Sequence, residues 1–310
     1  MVSMRASQLD IPIHATWSQT GVTVAGGNGR GKGTHQLYHP HGLFVDDDQT
    51  IYIADYSNDW IVEWKPGASN GQVVAGGNGY GKGDHQLNGP LDVIVDKETD
   101  SLIISDKGNA RVVKWPRRDG EKGETLISNV YCTGLTMDQQ GSLYVVEKYG
   151  HKVDRYRRGD TQGEVVAGYN REGNDLDQLS RPWSIFVDQE HSVYVSDSGN
   201  HRVMKFKQGA KKGNVIAGAQ EDEDSLPELY SPRGIVVDQL ETIYVADELN
   251  SRIMRWPKRA KHGSVIIGGN GKGSNSNQLN YPIGLSFDRH GNLYVVDSDN
   301  ARVQRFDINI

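Results

Sequence analysis

A seven-residue phrase recurs six times along the chain at nearly constant spacing. It reads Pro, two variable residues, an apolar residue, a variable residue, an apolar residue and Asp, and Cys132 replaces the Pro in the third copy. The closing aspartates are Asp46, Asp96, Asp138, Asp188, Asp238 and Asp288. Their separations are 50, 42, 50, 50 and 50 residues. A fixed period of this length indicates a repeat architecture in which each unit is one supersecondary structure.

Each repeat contains four short runs that are typical of β-strands. After the seven-residue phrase come runs such as IYVAD, RIMRW and SVIIG. These runs are rich in Val, Ile and Tyr, and clusters of Asp, Asn and Gly separate them, as in strands joined by tight turns. No convincing helical period is present. The sequence therefore predicts six blades of four antiparallel strands.

The two ends of the chain supply complementary parts of one blade. The sixth repeat ends after its third strand, and a matching fourth strand, GVTVAG, lies at residues 21–26. If this segment completes the last blade, the ring closes and no blade has an unpaired edge. We therefore predict an all-β, six-bladed β-propeller over residues 21–310, closed by its N-terminal strand. Residues 1–20 are expected to form an N-terminal tail.

A glycine-rich stretch before several repeats resembles a phosphate-binding loop. In VVAGGNGYGKGDHQL, residues 73–87, Gly76, Gly81 and Lys82 match most of the pattern G-x-x-x-x-G-K-[ST], but Gly83 replaces the hydroxyl residue. No helical pattern follows, although a P-loop opens a helix. We therefore interpret the stretch as the connection between blades, with its final leucine packed between them. These leucines are Leu37, Leu87, Leu179, Leu229 and Leu279.

Each repeat also carries a polar set after its second strand. An Asp ends the strand, an Asn follows three residues later, and an Arg follows two residues after that. Such regular repetition indicates hydrogen bonding within the blade rather than catalysis. Trp60 and Lys152 replace the Arg in the first and third repeats. The third repeat also has Glu147 and Gly150 at repeated positions, which indicates either relaxed packing or a specialised contact at that blade.

The paired phrases SPRGIVVD and IYVADELNSRIMRW resemble the NHL repeat, and the resemblance extends over roughly residues 21–310. It implies a β-propeller. The NHL family includes RNA-binding domains of ubiquitin ligases, an amidating lyase and many scaffolds. The resemblance therefore implies a fold and leaves the function open.

Functional residues are expected where the repeats differ, because maintenance of the fold does not require such differences. The residue after the repeated Pro begins the inner strand, near the mouth of the central channel, on the face that carries the glycine-rich loops. In chain order it is His41, Leu91, Thr133, Trp183, Arg233 and Ile283. We predict that His41, Trp183 and Arg233 bind a small anionic or aromatic ligand, with Tyr56 as a neighbour from a facing turn.

Three histidines, His35, His39 and His41, suggest the hypothesis of a metal site. His35 lies on a loop and no Cys is nearby, so we interpret them as solvated loop histidines. The resemblance adds one match, because peptidyl-amidoglycolate lyase has a zinc-binding histidine in a PHGL phrase and His41 stands in PHGLFVD. No later repeat has His after its Pro. We therefore expect no metal and no obligatory cofactor.

The net charge of −6 argues against a dedicated polyanion binder. The face with the glycine-rich loops mixes basic residues with the acidic run EDED, residues 221–224, so we expect no nucleic-acid binding. On the opposite face, basic outer turns predict a rim around an acidic centre. We interpret this charge as solvating the surface, with docking of an acidic partner as the alternative. This basic rim contains Arg117, Arg118, Lys211, Lys212, Lys258 and Arg259.

Cys132 is the single cysteine, so no disulfide forms within the chain. The N-terminal residues contain no apolar run of signal-peptide length, and no stretch is long enough to span a bilayer. We expect a soluble monomer, either cytoplasmic or exported in mature form. The predicted function is a non-enzymatic scaffold that uses its loop faces to bind a protein or small molecule. The alternatives are a metal-dependent lyase or hydrolase at the channel mouth and an RNA-binding NHL domain.

Overall fold

Residues 9–218 and 229–310 are described by the computed structural model, and they form six four-stranded antiparallel sheets. The acidic run at residues 221–224 lies outside the described residues. In each sheet the strands are neighbours in chain order, except that the last sheet takes one strand from the N-terminus. The all-β prediction of six four-stranded blades is confirmed. In these residues there is no helix long and apolar enough to cross a membrane.

The first three blades follow the order of the chain. A short strand, β1 (Thr16–Trp17), and the closing strand, β2 (Val22–Gly26), precede them. Blade 1 contains β3 (Pro40–Val45), β4 (Ile51–Asp55), β5 (Trp60–Trp64) and β6 (Gln72–Gly76). Blade 2 contains β7 (Pro90–Asp96), β8 (Ser101–Asp106), β9 (Arg111–Pro116) and β10 (Glu124–Ser128). Blade 3 contains β11 (Cys132–Met137), β12 (Leu143–Glu147), β13 (Lys152–Tyr156) and β14 (Glu164–Ala167).

The remaining blades complete the ring. Blade 4 contains β15 (Ile185–Val187), β16 (Val193–Asp197), β17 (Arg202–Phe206) and β18 (Asn214–Gly218). Blade 5 contains β19 (Pro232–Val237), β20 (Ile243–Asp247), β21 (Arg252–Trp256) and β22 (Ser264–Gly268). Blade 6 contains β23 (Pro282–Phe287), β24 (Leu293–Asp297), β25 (Arg302–Phe306) and β2, and β26 (Ile308–Asn309) follows it. Single 3₁₀ turns follow the second strand at Tyr56–Asn58, Lys107–Asn109, Ser198–Asn200, Glu248–Asn250 and Ser298–Asn300.

The inner strands surround the central axis. Each of β3, β7, β11, β15, β19 and β23 contacts the next, and β23 contacts β3. Because six blades form this closed ring, blade 1 and blade 4 lie on opposite sides of the axis. Side chains from these two blades meet only if they reach across the channel.

The ring closes through the N-terminal strand. β2 pairs antiparallel with β25, so that Val22 lies opposite Arg305 and Gly26 lies opposite Arg302. The predicted closure is therefore confirmed. Without β2, the backbone N–H and C=O groups on one side of β25 would have no strand partner.

The recurrent leucines pack between blades, as the sequence predicts. All five are fully buried, with 0% of their surface exposed: Leu37, Leu87, Leu179, Leu229 and Leu279. Each lies against the glycine that ends a fourth strand or, at Gly168, directly follows it. At Gly26, φ is +66°, and a Cβ there would lie 2.4 Å from the carbonyl oxygen of Ala301 and 2.9 Å from Leu37. Only glycine fits this combination of left-handed backbone and close contact.

Residues 9–20, here called the N-terminal strap, belong to the segment that the sequence analysis describes as a tail. The strap packs against blades 5 and 6. Trp17 is only 2% exposed, its Nε1 donates a hydrogen bond to the carbonyl oxygen of Gly291 at 3.0 Å, and its ring lies edge-on to Tyr244 at 5.5 Å. The backbone of β1 pairs with β26. The described part of the predicted tail is therefore structured.

The repeated Asp, Asn and Arg join each blade to the loop that precedes it. Asp197 accepts hydrogen bonds from the Ser180 backbone N–H at 2.6 Å, from Asn200 at 2.8 Å and from Arg202 Nε at 2.8 Å. The remaining N–H groups of Arg202 donate to loop carbonyls, including that of Asn174 at 2.7 Å. These contacts confirm the structural interpretation of the polar set.

Blade 1 differs because Trp60 stands in place of the Arg. Trp60 Nε1 donates to Asp55 Oδ2 at 2.8 Å, but an indole carries no charge to offset that of the carboxylate. Burial therefore raises the pKa of Asp55 from 3.8 to about 6, against the opposing hydrogen bonds from Tyr38, Asn58 and Trp60. This buried acid takes up a proton when the chain folds at mildly acidic pH.

A first prediction concerns ring closure. Deletion of residues 1–20 removes the strap and leaves β2, whereas deletion of residues 1–27 removes both. We expect the longer deletion to lower the thermal midpoint well below that of the shorter one, because it opens the ring and exposes the edge of β25. Calorimetry of both truncated chains and the full chain measures this difference. Equal midpoints for the two truncations would contradict a stabilising role of β2.

A second prediction concerns the stability of blade 1. Because the folded-state pKa of Asp55 is raised, its contribution to the unfolding free energy falls as pH rises from about 4 to about 6, by about 3 kcal/mol. In Trp60→Arg, the guanidinium should lower this pKa and reduce that loss, although burial still raises the pKa of the Arg-bonded Asp197 and Asp297. Urea unfolding of both proteins at several pH values tests this. An unfolding free energy with the same pH dependence in both proteins would contradict the role given to Asp55.

Candidate ligand site at the channel mouth

The residues that follow the repeated Pro lie at one mouth of the central channel. His41 is in β3 and Arg233 is in β19, as the sequence predicts. Trp183 differs, because β15 begins at Ile185 and Trp183 precedes it. The side chain of Ser196 accepts the backbone N–H of Ser184 at 2.8 Å, which interrupts the regular strand ladder at this point. Trp183 remains attached through its backbone N–H, which donates to the Ser196 carbonyl at 3.0 Å.

Trp183 reaches across the channel. Its ring lies 5.8 Å from that of His41, with the two planes at 30°, although His41 belongs to the opposite blade. The guanidinium of Arg233, from the neighbouring blade, lies 3.9 Å from the indole centroid. Beneath Trp183 a cavity of about 20 Å³ remains, lined by residues including Asp92, Thr133 and Ser184. This cavity has room for about one water molecule.

His41 is enclosed by aromatic and cationic neighbours. Its ring lies 4.9 Å from that of Tyr56, and its Nδ1 atom is buried without a hydrogen-bond partner among the described residues. Burial, and after it the charge of Arg233, lower the pKa of His41 to about 3. The imidazole is therefore neutral at ordinary pH. The interpretation of His41 as a solvated loop histidine is wrong, because the ring packs inside the mouth.

Positive charge predominates around Trp183. The ammonium of Lys148 lies 4.9 Å from the indole centroid. Burial lowers the pKa of Lys148, and so do the nearby charges of Arg233, Lys107 and Arg181. Arg233 Nε donates to the buried carboxylate of Glu248 at 2.8 Å. Neither Lys107 nor Lys148 forms an ion pair with another residue that the structure describes.

The sequence analysis did not select either lysine as a site residue, although both belong to the basic residues of the glycine-rich-loop face. They occupy the position after the acid that ends the second strand, the same position that Tyr56 holds in blade 1. In chain order this position is Tyr56, Lys107, Lys148, Ser198, Glu248 and Ser298. It also varies between repeats, with four residue types among the six. A comparison of this second variable position across the repeats would have identified Lys107, Lys148 and Glu248.

Asp92 was also missed, although it breaks the repeat at a position that is Gly in four other units. A Cβ on one of these glycines, Gly284, would lie 2.5 Å from the carbonyl oxygen of His41, so the inner strands leave little space there. Asp92 is 4% exposed, and its Oδ2 accepts the backbone N–H of Leu135 from blade 3 at 2.9 Å. Its carboxylate joins two blades inside the channel wall.

The three histidines do not converge on a metal site. His39 Nδ1 lies 3.0 Å from the hydroxyl of Ser57, and the ring of His35 lies beside Gly33 on its loop. Among the described residues, no group of three His, Cys, Asp or Glu side chains has a metal-binding arrangement. The cationic groups of Arg233 and Lys148 beside His41 also oppose a metal ion. The residues present do not fit the zinc site that the resemblance implies.

Comparison with known proteins supports the repeat assignment. The NHL repeat model matches residues 179–206 and 279–306, which are parts of blades 4 and 6. Together with the six four-stranded blades in a ring, these two repeats support the assignment. The chain is an NHL-repeat six-bladed β-propeller. No curated protein sequence matches it.

Solved structures resemble this NHL propeller at low sequence identity. A protein of unknown function from Bacteroides thetaiotaomicron is 13% identical, with a TM-score of 0.73, over 96% of this chain and 77% of the other. The PQQ-bound aldose sugar dehydrogenase of Streptomyces coelicolor is 12% identical, with a TM-score of 0.70, over 96% and 99%. A gluconolactonase from Xanthomonas campestris is 11% identical, with a TM-score of 0.67, over 100% and 99%. At these identities the likeness establishes the fold alone.

The rival location, the basic rim of the NHL propeller, is partly neutralised by its own contacts. Arg117 forms an ion pair with Asp46 inside the blade 1–blade 2 junction. Lys211 lies 4.0 Å from the ring centroid of Tyr169, and Lys258 pairs with Glu241. The ion pairs of Arg117 and Lys258 leave less free positive charge on the rim than the sequence analysis expects.

A third prediction follows from the environment of His41. Its ring should remain neutral from about pH 8 to about pH 5, because burial and the neighbouring cations oppose protonation. The ring proton and carbon NMR signals, assigned with His41→Gln, should show no titration in this range. In Arg233→Ala the pKa of His41 should rise. A midpoint near the ordinary value of 6.5 in the unsubstituted protein would show that the ring is solvated.

Proposed function

We propose that this NHL propeller is a non-enzymatic binding module whose channel mouth holds an anionic group of a protein or small-molecule partner. The observation that carries the proposal is the contact of Trp183 with Arg233, His41 and Lys148, a lysine that forms no ion pair with another described residue. Pockets that orient a ligand combine apolar rings with a few convergent polar groups, and this mouth has that composition. Fold maintenance requires none of these residues, since the other repeats do without them.

Each residue has a distinct part in the proposed site. The stacking of Arg233 on Trp183 and its bond to Glu248 restrict the orientation of the guanidinium, which leaves its terminal N–H groups to receive an anion. Lys148 supplies a second positive charge. Neutral His41 offers the unpartnered Nδ1 for a hydrogen bond, and Tyr56 covers its other side.

The same environment is unfavourable for acid–base catalysis. A general base works best when its pKa lies near the operating pH, whereas that of His41 is lowered to about 3. Glu248, the nearest carboxylate in the mouth, is committed to Arg233 and also accepts a hydrogen bond from Ser231 at 2.8 Å. These features support a binding role over the alternative of a lyase or hydrolase. The dehydrogenase and the lactonase that share this fold provide no residue-level argument for this chain.

A fourth prediction tests the proposed site. Isothermal titration with benzoate and inorganic phosphate should detect binding that weakens with salt. Trp183→Ala should reduce the affinity by about 2 kcal/mol or more, as expected for a buried aromatic at the centre of an interface. Arg233→Glu should abolish binding of either anion. Lys212→Glu, which changes an exposed rim residue, is the matched charge control and should bind normally.

The same variants should separate the mouth from the rim in a pull-down of native partners. Loss of the partner with Trp183→Ala and Arg233→Glu, and not with Lys258→Glu/Arg259→Glu, supports the mouth. Loss with the rim variant alone would refute the choice of site.

A further inference from the structure

One junction between blades already holds a peptide segment, because the N-terminal strap lies in the cleft between blades 5 and 6. From blade 5, Arg255 Nη1 donates to the carbonyl oxygen of Ala15 at 2.8 Å. The side chain of Gln19 donates to the carbonyl oxygen of Ile266 at 3.0 Å. From the end of blade 6, Ile308 pairs with Trp17. The cleft between two neighbouring blades of this chain can therefore hold an extended segment.

The equivalent cleft between blades 1 and 2 is open. Glu63 lies opposite Tyr52 in blade 1, as Arg255 lies opposite Tyr244 in blade 5. Here, however, no described segment lies between the blades, and a cavity of about 750 Å³ remains. This volume falls within the range of ordinary ligand pockets, roughly 300–1,000 Å³. The cleft is lined by Asp48, Tyr52, Glu63, Gln72, Arg117 and Glu121, among others.

The inner end of the open cleft is filled by Arg117, at the place that Trp17 occupies in the other cleft. Its guanidinium lies 5.1 Å from the ring centroid of Tyr52, and its Nε donates to the hydroxyl of Tyr52 at 2.7 Å. It also pairs with the buried Asp46. Because Arg117 closes the inner end, the junction is held together without a strap, and the outer part of the cleft is free.

The charge of the open cleft identifies its occupant. Asp48, Asp119 and Glu121 line it, and none of them forms an ion pair with another described residue. The basic side chains there are already neutralised in part: Lys65 lies 3.6 Å from Glu63, and Arg118 lies 3.5 Å from Asp100. The cleft therefore presents an excess of free carboxylates. Cationic groups complement such a surface.

We propose that the cleft between blades 1 and 2 docks an extended segment of a partner protein that carries Lys or Arg side chains. The segment would lie as residues 15–19 lie between blades 5 and 6. Glu63 occupies the position from which Arg255, in the other cleft, donates a hydrogen bond to the strap carbonyl. The open cleft therefore offers a hydrogen-bond acceptor where the other cleft offers a donor. A segment rich in cationic donors can hydrogen-bond this carboxylate better than the chain's own strap would.

The test uses fluorescence anisotropy with a short labelled peptide of alternating lysine and alanine as the probe. Glu121→Lys should weaken its binding about tenfold, because a like charge is placed against the peptide. The matched control is Glu124→Lys, which changes an equally exposed acid three residues further along that does not line the cleft. This control should bind almost as well as the unsubstituted protein.

A second pair of variants separates occupancy from general electrostatic attraction. Gln72→Trp fills the cleft, whereas Asn214→Trp makes a similar change at the first residue of the fourth strand in blade 4. Loss of binding with Gln72→Trp and not with Asn214→Trp supports the proposal. Equal effects of Glu121→Lys and Glu124→Lys would overturn it, since the peptide would then bind general negative charge. Dimerisation that Gln72→Trp abolishes, without peptide binding, would also overturn it and assign the cleft to a second copy.

Discussion

A buried carboxylate at the end of the second strand positions both the scaffold and the mouth. In blade 1, Asp55 accepts the backbone N–H of Tyr38, two residues before the Pro that opens the inner strand, at 2.7 Å. This bond brings the residue after the Pro close to the residue after the Asp. The result is the 4.9 Å contact between His41 and Tyr56 in blade 1 and, in blade 5, the ion pair of Arg233 with Glu248. One repeated hydrogen bond therefore determines which variable residues meet.

The ring then combines these pairs into an asymmetric surface. Blade 3, whose sequence departs most from the repeat, contributes Lys148 to the mouth, and Tyr131 and Tyr149 lie edge-on to each other at 5.9 Å beside it. Its altered polar set is still bonded, since Lys152 lies 2.7 Å from Asp154 and 3.4 Å from Glu147. Its departures place a cation and two exposed aromatic rings beside the channel.

The repeat allowed the fold to be predicted almost completely from the sequence, because the spacing of the repeats along the chain determines strand order and ring closure. Variation between repeats also identified His41, Trp183 and Arg233 as candidates, and the structure brings their side chains together. Three features depend on distances in space that the spacing of the repeats does not specify. The reach of Trp183 across the axis depends on channel width, the burial of His41 depends on that reach, and the strap pairs with residues more than two hundred positions away.

The electrostatics of the mouth distinguish its residues from those that build the scaffold. Scaffold ions are paired: Arg202 and Arg302 each bond a buried Asp and several loop carbonyls, which offsets the cost of burial. At the mouth, burial and mutual repulsion instead lower the pKa of Lys148, and the buried His41 Nδ1 has no hydrogen-bond partner in the described part of the chain. Such a cluster opposes folding in the absence of an anion, because its charges repel one another. An anion bound there removes part of this repulsion, so the residues that contribute least to the fold are those best suited to binding.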